Sequence, residues 1–241
     1  MRYINEENLF DYAFVNLDAL TFPVRAVCVD FHGYTDSTMF SESNEKAKRL
    51  GEKGIAWIFP YYSVWAWMSE SSQEFNEQVL DAVYEKLGIP DTVPLIITGG
   101  SMGGLTALCY LLYGKRKAVA CAANCPVTDM GVFFRDFDYA RRAILSAHIL
   151  DDRPLETVLE KYSPVKYVDK LPHIPYLLLY GEKDTVVTDR FMPQFVEAMQ
   201  AAGHDVTHIV QKDMVHCDMR SHKEAFDAWC SFIVAQADAA N

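Results

Sequence analysis

One serine lies in a glycine-rich sequence, which reads Gly99-Gly100-Ser101-Met102-Gly103. An apolar run at 93–98 precedes it and a helix-forming run at 105–113 follows it, so we predict a sharp turn between a strand and a helix. Gly99 and Gly103 are small enough to let the strand and the helix approach each other, and the turn exposes the Ser101 hydroxyl above the sheet. This context is typical of a nucleophilic serine. The alternative is a glycine-rich turn, or a phosphate loop that lacks its lysine.

A serine hydroxyl is a poor nucleophile by itself and needs a base and an acid that orients the base. Asp184 follows the predicted strand 176–180, and His216 follows the predicted strand 206–211. The carboxyl ends of parallel strands meet at one edge of a sheet, so both loops are expected beside Ser101. The chain order Ser, Asp, His is also the order found on strand-turn-helix serine scaffolds. We therefore predict Ser101, Asp184 and His216 as a catalytic triad.

Other residues compete for the acid and base roles. Glu182 is a second candidate acid, but it lies closer to the end of its strand, and Asp189 is a third, but it is predicted to begin a helix. Five other histidines fall in a turn, a strand, the stretch 126–172 or a helix start: His148, His173, His204, His208 and His222. Of the seven histidines in the chain, only His216 occupies the loop where the base is needed.

The sequence His32-Gly33-Tyr34 lies just past the predicted strand 24–30. Gly33 lets the chain turn close to a substrate, and we predict that the backbone N–H groups of Tyr34 and Met102 bind a developing oxyanion. His32 either packs within this loop or acts directly. Both alternatives remain open at the level of sequence.

Aromatic residues cluster in two segments near this edge, and we predict that they wall a substrate pocket: Tyr62, Trp65 and Trp67 after the strand 55–60, and Phe133 and Phe134 in the stretch 126–172. Core packing or a contact between subunits is the alternative explanation. Both explanations remain open for both segments.

Apolar runs of strand length alternate with helix-forming runs of ten or more residues. This pattern predicts an α/β fold with a mostly parallel central sheet flanked by helices. The stretch 126–172 interrupts the alternation and is predicted to be a short cap-like insertion over the site. No linker or repeat divides the chain, so we predict one domain, 1–241. Ser221 and Glu224 have the spacing of a capping box and predict the start of the last helix.

Composition excludes several classes of function. The chain has 22 Lys and Arg against 33 Asp and Glu, a formal net charge of −11, and no basic cluster that would attract nucleic acid or a membrane surface. No apolar run reaches the roughly 18 residues that span a bilayer. The first 20 residues do not resemble a secretion signal, so a cytoplasmic location is expected.

The six cysteines fall mostly in apolar segments and are predicted to be reduced core thiols: Cys28, Cys109, Cys121, Cys125, Cys217 and Cys230. Cys121 and Cys125 are four residues apart but have no matching pair of histidines, so no metal site is predicted. No cofactor is predicted either.

Ser101, Asp184 and His216, together with His32-Gly33, resemble the α/β-hydrolase superfamily over nearly the whole chain. More narrowly, three short stretches are similar to the hydrolase domain of prolyl-oligopeptidase-like enzymes and to small esterases of that branch: Tyr162-Ser163-Pro164, 174–178 and Gly181-Glu182-Lys183-Asp184. Peptidases of the branch carry an amino-terminal propeller, for which 241 residues leave no room. The resemblance therefore implies a hydrolase domain alone, which favours an esterase.

We accordingly expect a serine hydrolase that cleaves carboxylic esters with small acyl or aryl groups through an acyl-enzyme. Its partner would be a small-molecule ester, and the oligomeric state is not predicted. The first alternative is a small peptidase or amidase of the same branch, because both reactions use the same acyl-enzyme. The second is a ligand-binding protein that keeps the fold without turnover.

Overall fold

The computed structural model describes residues 3–187 and 191–240. The strands in these residues form one mixed sheet. The seven strands of this described part are β1 Ala13–Val15, β2 Ala26–Phe31, β3 Ile55–Pro60, β4 Leu95–Gly100, β5 Ala118–Asn124, β6 Tyr176–Gly181 and β7 Val206–Gln211. They pair in the order β1-β3-β2-β4-β5-β6-β7. β1 is antiparallel to β3, and every other pair is parallel. This is the mostly parallel α/β sheet that the alternation of runs predicts.

Helices cover both faces of this sheet. In the described part of the chain they are α1 Glu45–Gly51, α2 Glu70–Leu87, α3 Met102–Tyr113, α4 Met130–Asp136, α5 Asp138–Ala147, α6 Leu155–Lys161, α7 Met192–Ala201 and α8 Lys223–Ala239. One apolar cluster joins the sheet to α1 and α8, and a second joins it to α2, α3 and α7. Every residue of β2, β3 and β6 is buried, which explains why these strands are apolar apart from Asp30, whose carboxylate pairs with Lys46 at 2.7 Å. No helix among the described residues combines the length and the apolar character needed to cross a membrane.

The turn at the central strand is tighter than the sequence predicts. β4 extends to Gly100, and α3 begins at Met102, three residues before its predicted start at 105. Ser101 is thus the single residue between a strand and a helix. The glycines that suggest a loop instead allow the first turn of α3 to pack closely against the sheet.

The predicted capping box at the last helix is wrong. Ser221 ends a short 3₁₀ turn, Met219–Ser221, and its hydroxyl donates to Asp218 Oδ1 at 2.6 Å. His222 is the cap residue of α8 and makes no side-chain cap hydrogen bond. The hydroxyl of Ser221 is engaged within its own turn, so it is not free to cap the helix.

The stretch 126–172 connects β5 to β6 and is described throughout. It contains α4, α5 and α6, followed by a 3₁₀ segment, Pro164–Lys170. The rings of Phe133 and Phe137 stack at 4.3 Å, and Phe133 packs against Trp67 with ring centroids 5.5 Å apart. These contacts attach the helices of this stretch to the loop that follows β3, on the carboxyl side of the sheet.

Candidate active site

The conformation of Ser101 is strained, with φ 55° and ψ −119°. The turn requires a glycine two residues before Ser101 and another two residues after it. A Cβ on Gly99 would lie 2.3 Å from the carbonyl oxygen of Gly103, and a Cβ on Gly103 would lie 1.9 Å from the carbonyl oxygen of Phe31. The Ser101 N–H donates to the backbone oxygen of Asn124 at 3.0 Å. The turn is therefore fixed by close backbone packing on two sides, and it leaves the Ser101 side chain partly exposed.

Asp184 lies three residues beyond β6, with a side chain that is fully buried. Its Oδ1 accepts the N–H groups of Val186 at 2.8 Å and Val187 at 2.9 Å, which leaves Oδ2 for another donor. Glu182, the rival acid, is exposed and accepts the N–H of Asp213 at 3.2 Å. The other rival, Asp189, lies outside the described residues.

His216 joins the two other predicted residues. Its Nδ1 is 2.8 Å from Asp184 Oδ2, and its Nε2 is 2.9 Å from Ser101 Oγ. Ser101, Asp184 and His216 lie just after β4, β6 and β7. The parallel sheet brings these three positions together although they are far apart in sequence. Two rival histidines are occupied elsewhere: Nε2 of His148 and of His204 each lie 2.8 Å from a backbone oxygen.

The loop after β2 lies against the serine. A Cβ on Gly33 would stand 3.8 Å from Ser101 Cβ, so only a short gap separates the two loops. Met102 is the first residue of α3, and its N–H is one of those that a helix leaves without an internal acceptor. The positive end of the helix dipole also points toward the serine. Of the two predicted donors, Met102 directly follows Ser101, and Tyr34 directly follows Gly33 in the adjacent loop.

His32 is packed in its loop. Its ring stacks on Tyr62 at 3.8 Å between centroids, and its two nitrogens lie 2.9 Å from the oxygen of Gly33 and 3.0 Å from that of Tyr62. The Tyr62 hydroxyl donates back to the His32 oxygen at 2.8 Å. Of the two alternatives for His32, the structural one matches these contacts, and Tyr62 supports the loop.

A cavity of about 490 Å³ opens over Ser101. Its aromatic lining includes Tyr34, Phe40, Phe59, Trp67, Phe133 and Tyr139, and its charged lining includes Asp36, Asp218 and Arg220. Of the five predicted pocket residues, Trp67 and Phe133 belong to this lining. Tyr62, Trp65 and Phe134 do not: Tyr62 is buried against His32, and Trp65 is half exposed on the surface. Tyr139 is an aromatic residue of the lining that the sequence does not predict, because the residues around it do not indicate which way its side chain points.

Cys217 is a site residue that the sequence prediction missed. Five of the six cysteines are buried, as predicted, but Cys217 is exposed and lines the cavity, so its assignment as a core thiol is wrong. Its Sγ lies 3.8 Å from His216 Nε2 and 3.3 Å from Cys125 Sγ. The sequence does hold a signal for this residue, because Cys217 directly follows the predicted base His216.

These neighbours change the pKa of the predicted base. Burial alone would lower the pKa of His216, but the hydrogen bond to Asp184 and the neighbouring Cys217 sulfur raise it above its ordinary value. Ligand atoms of Cys125, His216 and Cys217 lie within 4.8 Å of one another, a spacing that thiophilic metals accept. Because His216 Nε2 is hydrogen-bonded to Ser101, the arrangement is organised around the serine, and we assign no metal to it.

Solved structures with this fold include two peptidases and an esterase. A puromycin-hydrolyzing peptidase of Mycobacterium tuberculosis is 19% identical with a TM-score of 0.73, over 93% of this chain and 37% of that one. The acylaminoacyl peptidase of Pyrococcus horikoshii is 17% identical with a TM-score of 0.71, over 89% and 38%. A thermophilic esterase from the Planctomycetes species Thermogutta terrifontis is 18% identical with a TM-score of 0.62, over 92% and 88%.

At these identities the likeness concerns the α/β-hydrolase fold. The chain spans little more than a third of the length of the two peptidases and most of that of the esterase. No curated protein matches the chain. The sequence profile of the Prolyl oligopeptidase family matches residues 62–239, which include Ser101, Asp184 and His216. Since this match covers more than half of the sequence, the chain belongs to the prolyl oligopeptidase family.

Proposed function

We propose that the protein cleaves carboxylic esters with small acyl or aryl groups, with Ser101 as nucleophile, His216 as general base and acid, and Asp184 as the orienting carboxylate. The observation that carries this proposal is the continuous chain of hydrogen bonds from Ser101 Oγ through the His216 ring to the buried Asp184. A partly exposed serine in a strained turn, with a base at 2.9 Å, has the geometry that nucleophilic catalysis requires.

In the first half-reaction, Ser101 Oγ attacks the acyl carbon while His216 Nε2 takes the hydroxyl proton. The imidazolium then gives that proton to the departing alcohol oxygen as the carbon–oxygen bond breaks. Water repeats the sequence on the acyl-enzyme and releases the carboxylic acid. Throughout, Asp184 accepts the His216 Nδ1–H bond and stabilises the positive charge on the ring.

The tetrahedral intermediate places negative charge on the former carbonyl oxygen. We assign its binding to the backbone N–H groups of Tyr34 and Met102, which flank Ser101 on the loop after β2 and at the start of α3. Donors of this kind are already oriented before the reaction, so they stabilise the charge without reorganisation. The steps use no cofactor, and the cytoplasmic location stays a prediction.

The size and lining of the cavity support an ester with a compact acyl or aryl group. A volume of about 490 Å³ with rings of Trp67, Phe133 and Tyr139 suits an apolar group rather than an extended peptide. Ester alcohols also leave more easily than amines, and require less binding energy from remote parts of the substrate.

A small peptidase or amidase is the second candidate. The family match and the names of two structural neighbours favour it, because both of those proteins are peptidases. The same three residues serve both reactions, so the choice depends on the leaving group that the site accepts.

The experiment compares p-nitrophenyl esters of increasing acyl length with aminoacyl and dipeptidyl p-nitroanilides on one preparation, for the unmodified protein and Ser101→Ala. We expect the highest kcat/KM for a short ester, and a loss of at least about 10³-fold in the variant with its fold intact. An anilide that equals the best ester would favour the peptidase. Near-normal turnover by Ser101→Ala would exclude the mechanism.

A further inference from the structure

Two thiols from different loops meet beside the triad. Cys125 directly follows β5, Cys217 directly follows His216, and their sulfurs are 3.3 Å apart. The backbone N–H of Cys217 also donates to Cys125 Sγ at 3.2 Å. The sulfurs need to approach by little more than 1 Å to reach the bond length of about 2.05 Å in a disulfide.

The two thiols differ in exposure. Cys217 lines the cavity and is exposed, whereas Cys125 is fully buried behind it. Gly100 leaves room for the Cys217 sulfur, because a Cβ at that position would lie 3.2 Å from Cys217 Sγ. A small oxidant that enters the cavity therefore reaches Cys217 first, with Cys125 in place behind it as a second thiol.

We propose that Cys125 and Cys217 form a reversible disulfide when hydrogen peroxide enters the cavity, and that this disulfide stops hydrolysis at Ser101. An accessible sulfur paired with a buried one at contact distance is the arrangement of a thiol oxidation site with its resolving cysteine.

The chemistry consumes one peroxide and two thiols. The Cys217 thiolate sulfur attacks one peroxide oxygen, the O–O bond breaks, and the leaving hydroxide takes a proton from solvent to become water. Cys217 is then a sulfenic acid. The Cys125 sulfur attacks the Cys217 sulfur, the S–O bond breaks, and the hydroxide leaves with the thiol proton of Cys125 as a second water. The sulfurs lose two electrons, and the peroxide gains them.

Electrostatics agree with this order of events. The hydrogen bond from Cys125 lowers the pKa of Cys217 below its ordinary value, and the neighbouring His216 ring lowers it further. Burial raises the pKa of Cys125. Cys217 is thus the thiolate that attacks peroxide, and Cys125 stays protonated until the sulfenic acid forms.

The disulfide would affect both the base, His216, and the nucleophile, Ser101. Cys217 is covalently next to His216, whose Nε2 must stay aligned with Ser101 Oγ. Cys125 is covalently next to Asn124, whose backbone oxygen accepts the Ser101 N–H at 3.0 Å. Moving the sulfurs together therefore displaces the base, the nucleophile or both, and a displacement of about 1 Å can cost about 10²-fold in rate.

The test treats the unmodified protein with hydrogen peroxide in chelator-containing buffer, then measures intact mass, cysteine-containing peptides and p-nitrophenyl ester hydrolysis. We expect a mass loss of about 2 Da, a cross-linked peptide pair holding Cys125 and Cys217, and at least a tenfold loss of kcat/KM. Dithiothreitol should restore mass and activity together. The activity measurement rests on the proposed function, whereas the mass and peptide measurements do not.

Cys217→Ser and Cys125→Ala test the assignment, with Cys230→Ser as a matched control at a buried cysteine on α8. Relative to each untreated variant, the first two should show no cross-link and no dithiothreitol-reversible loss, and the control should behave like the unmodified protein. Inactivation without a cross-link in the unmodified protein would overturn the proposal. A full cross-link that leaves ester hydrolysis unchanged would overturn its effect on the site.

Discussion

At the level of single residues, Asp184 is the best-anchored member of the site. Two backbone N–H groups bind one of its oxygens, so the carboxylate is fixed in the plane that His216 needs. Glu182, two residues earlier, is exposed and far less constrained. Asp184→Asn should therefore lower kcat for p-nitrophenyl acetate by about 10² to 10⁴-fold, because the imidazole loses its orientation and its charge partner.

Glu182→Gln is the matched control for this change and should stay within about threefold of the unmodified protein. Steady-state kinetics on both variants, with circular dichroism to verify the fold, make the comparison. Equal losses in the two variants, or a larger loss at Glu182, would contradict the assignment of the acid.

The pH dependence follows from the neighbours of His216. Its raised pKa means that the ring keeps its proton to higher pH, and only the neutral ring can act as base. The acid limb of kcat/KM should therefore have its midpoint above the ordinary histidine value of about 6.5. Cys217→Ser removes one cause of the shift, so its midpoint should move to lower pH. Identical midpoints in the two pH profiles would show that Cys217 does not influence the base.

At the level of elements, the turn between β4 and α3 depends on Gly103. An alanine there would bring its Cβ within 1.9 Å of a backbone oxygen of β2, which neither side can avoid. We expect Gly103→Ala to cost about 3 kcal/mol or more and to lower Tm by about 6 to 12 °C. Gly131→Ala, where the nearest atom is a side-chain oxygen at 3.3 Å, should change Tm by less than about 3 °C. Thermal unfolding followed by circular dichroism compares them, and similar losses in both would contradict the packing argument.

The sequence predicts elements well where their signal is local and repeated. The apolar run at 55–60 is a strand with those bounds, because a strand buried on both faces has a continuous apolar sequence. The strands at 118–124 and 206–211 also have their predicted bounds, although β7 is only partly buried and contains the polar residues Thr207, His208 and Gln211. α3 begins three residues before the start that the sequence predicts, because its glycines are poor helix formers and only contacts with the sheet compensate for them. The predicted capping box is absent because the Ser221 hydroxyl donates to Asp218 in the 3₁₀ turn that precedes the helix.

The same distinction holds for the site. Ser101, Asp184 and His216 follow strands, and a parallel sheet necessarily brings strand ends together, so their convergence could be predicted. The direction of an aromatic side chain in a loop depends on distant partners, which is why Trp67 lines the cavity and Trp65 does not. The prediction of core thiols rests on the apolar segments that hold most of the cysteines, whereas Cys217 lies in the loop that carries His216 and is exposed.

At the level of the whole molecule, the helices between β5 and β6 complete the cavity over the sheet edge. Tyr139 on α5 lines the cavity while its ring remains half exposed, and its centroid lies 6.1 Å from that of Tyr34. Tyr139→Ala should raise KM for an aryl ester about three- to tenfold with little change in kcat, because it removes contact area and not a reacting group.

Trp65→Ala is the control, since Trp65 is equally exposed but lies outside the lining. Its KM should stay within about twofold of that of the unmodified protein. Michaelis–Menten kinetics with phenyl acetate and p-nitrophenyl acetate compare the two. A larger effect at Trp65 than at Tyr139 would show that the substrate binds elsewhere.

The central claim is that Ser101 is the nucleophile, although the sulfur of the exposed Cys217 lies 3.8 Å from the same histidine nitrogen. The most direct measurement is labelling with diisopropyl fluorophosphate, followed by intact mass and peptide mapping. We predict one phosphoryl group per chain, located on Ser101, no label in Ser101→Ala, and slow labelling in His216→Ala because the hydroxyl lacks its base. A label on Cys217, or an unmodified native protein after prolonged treatment, would contradict the account.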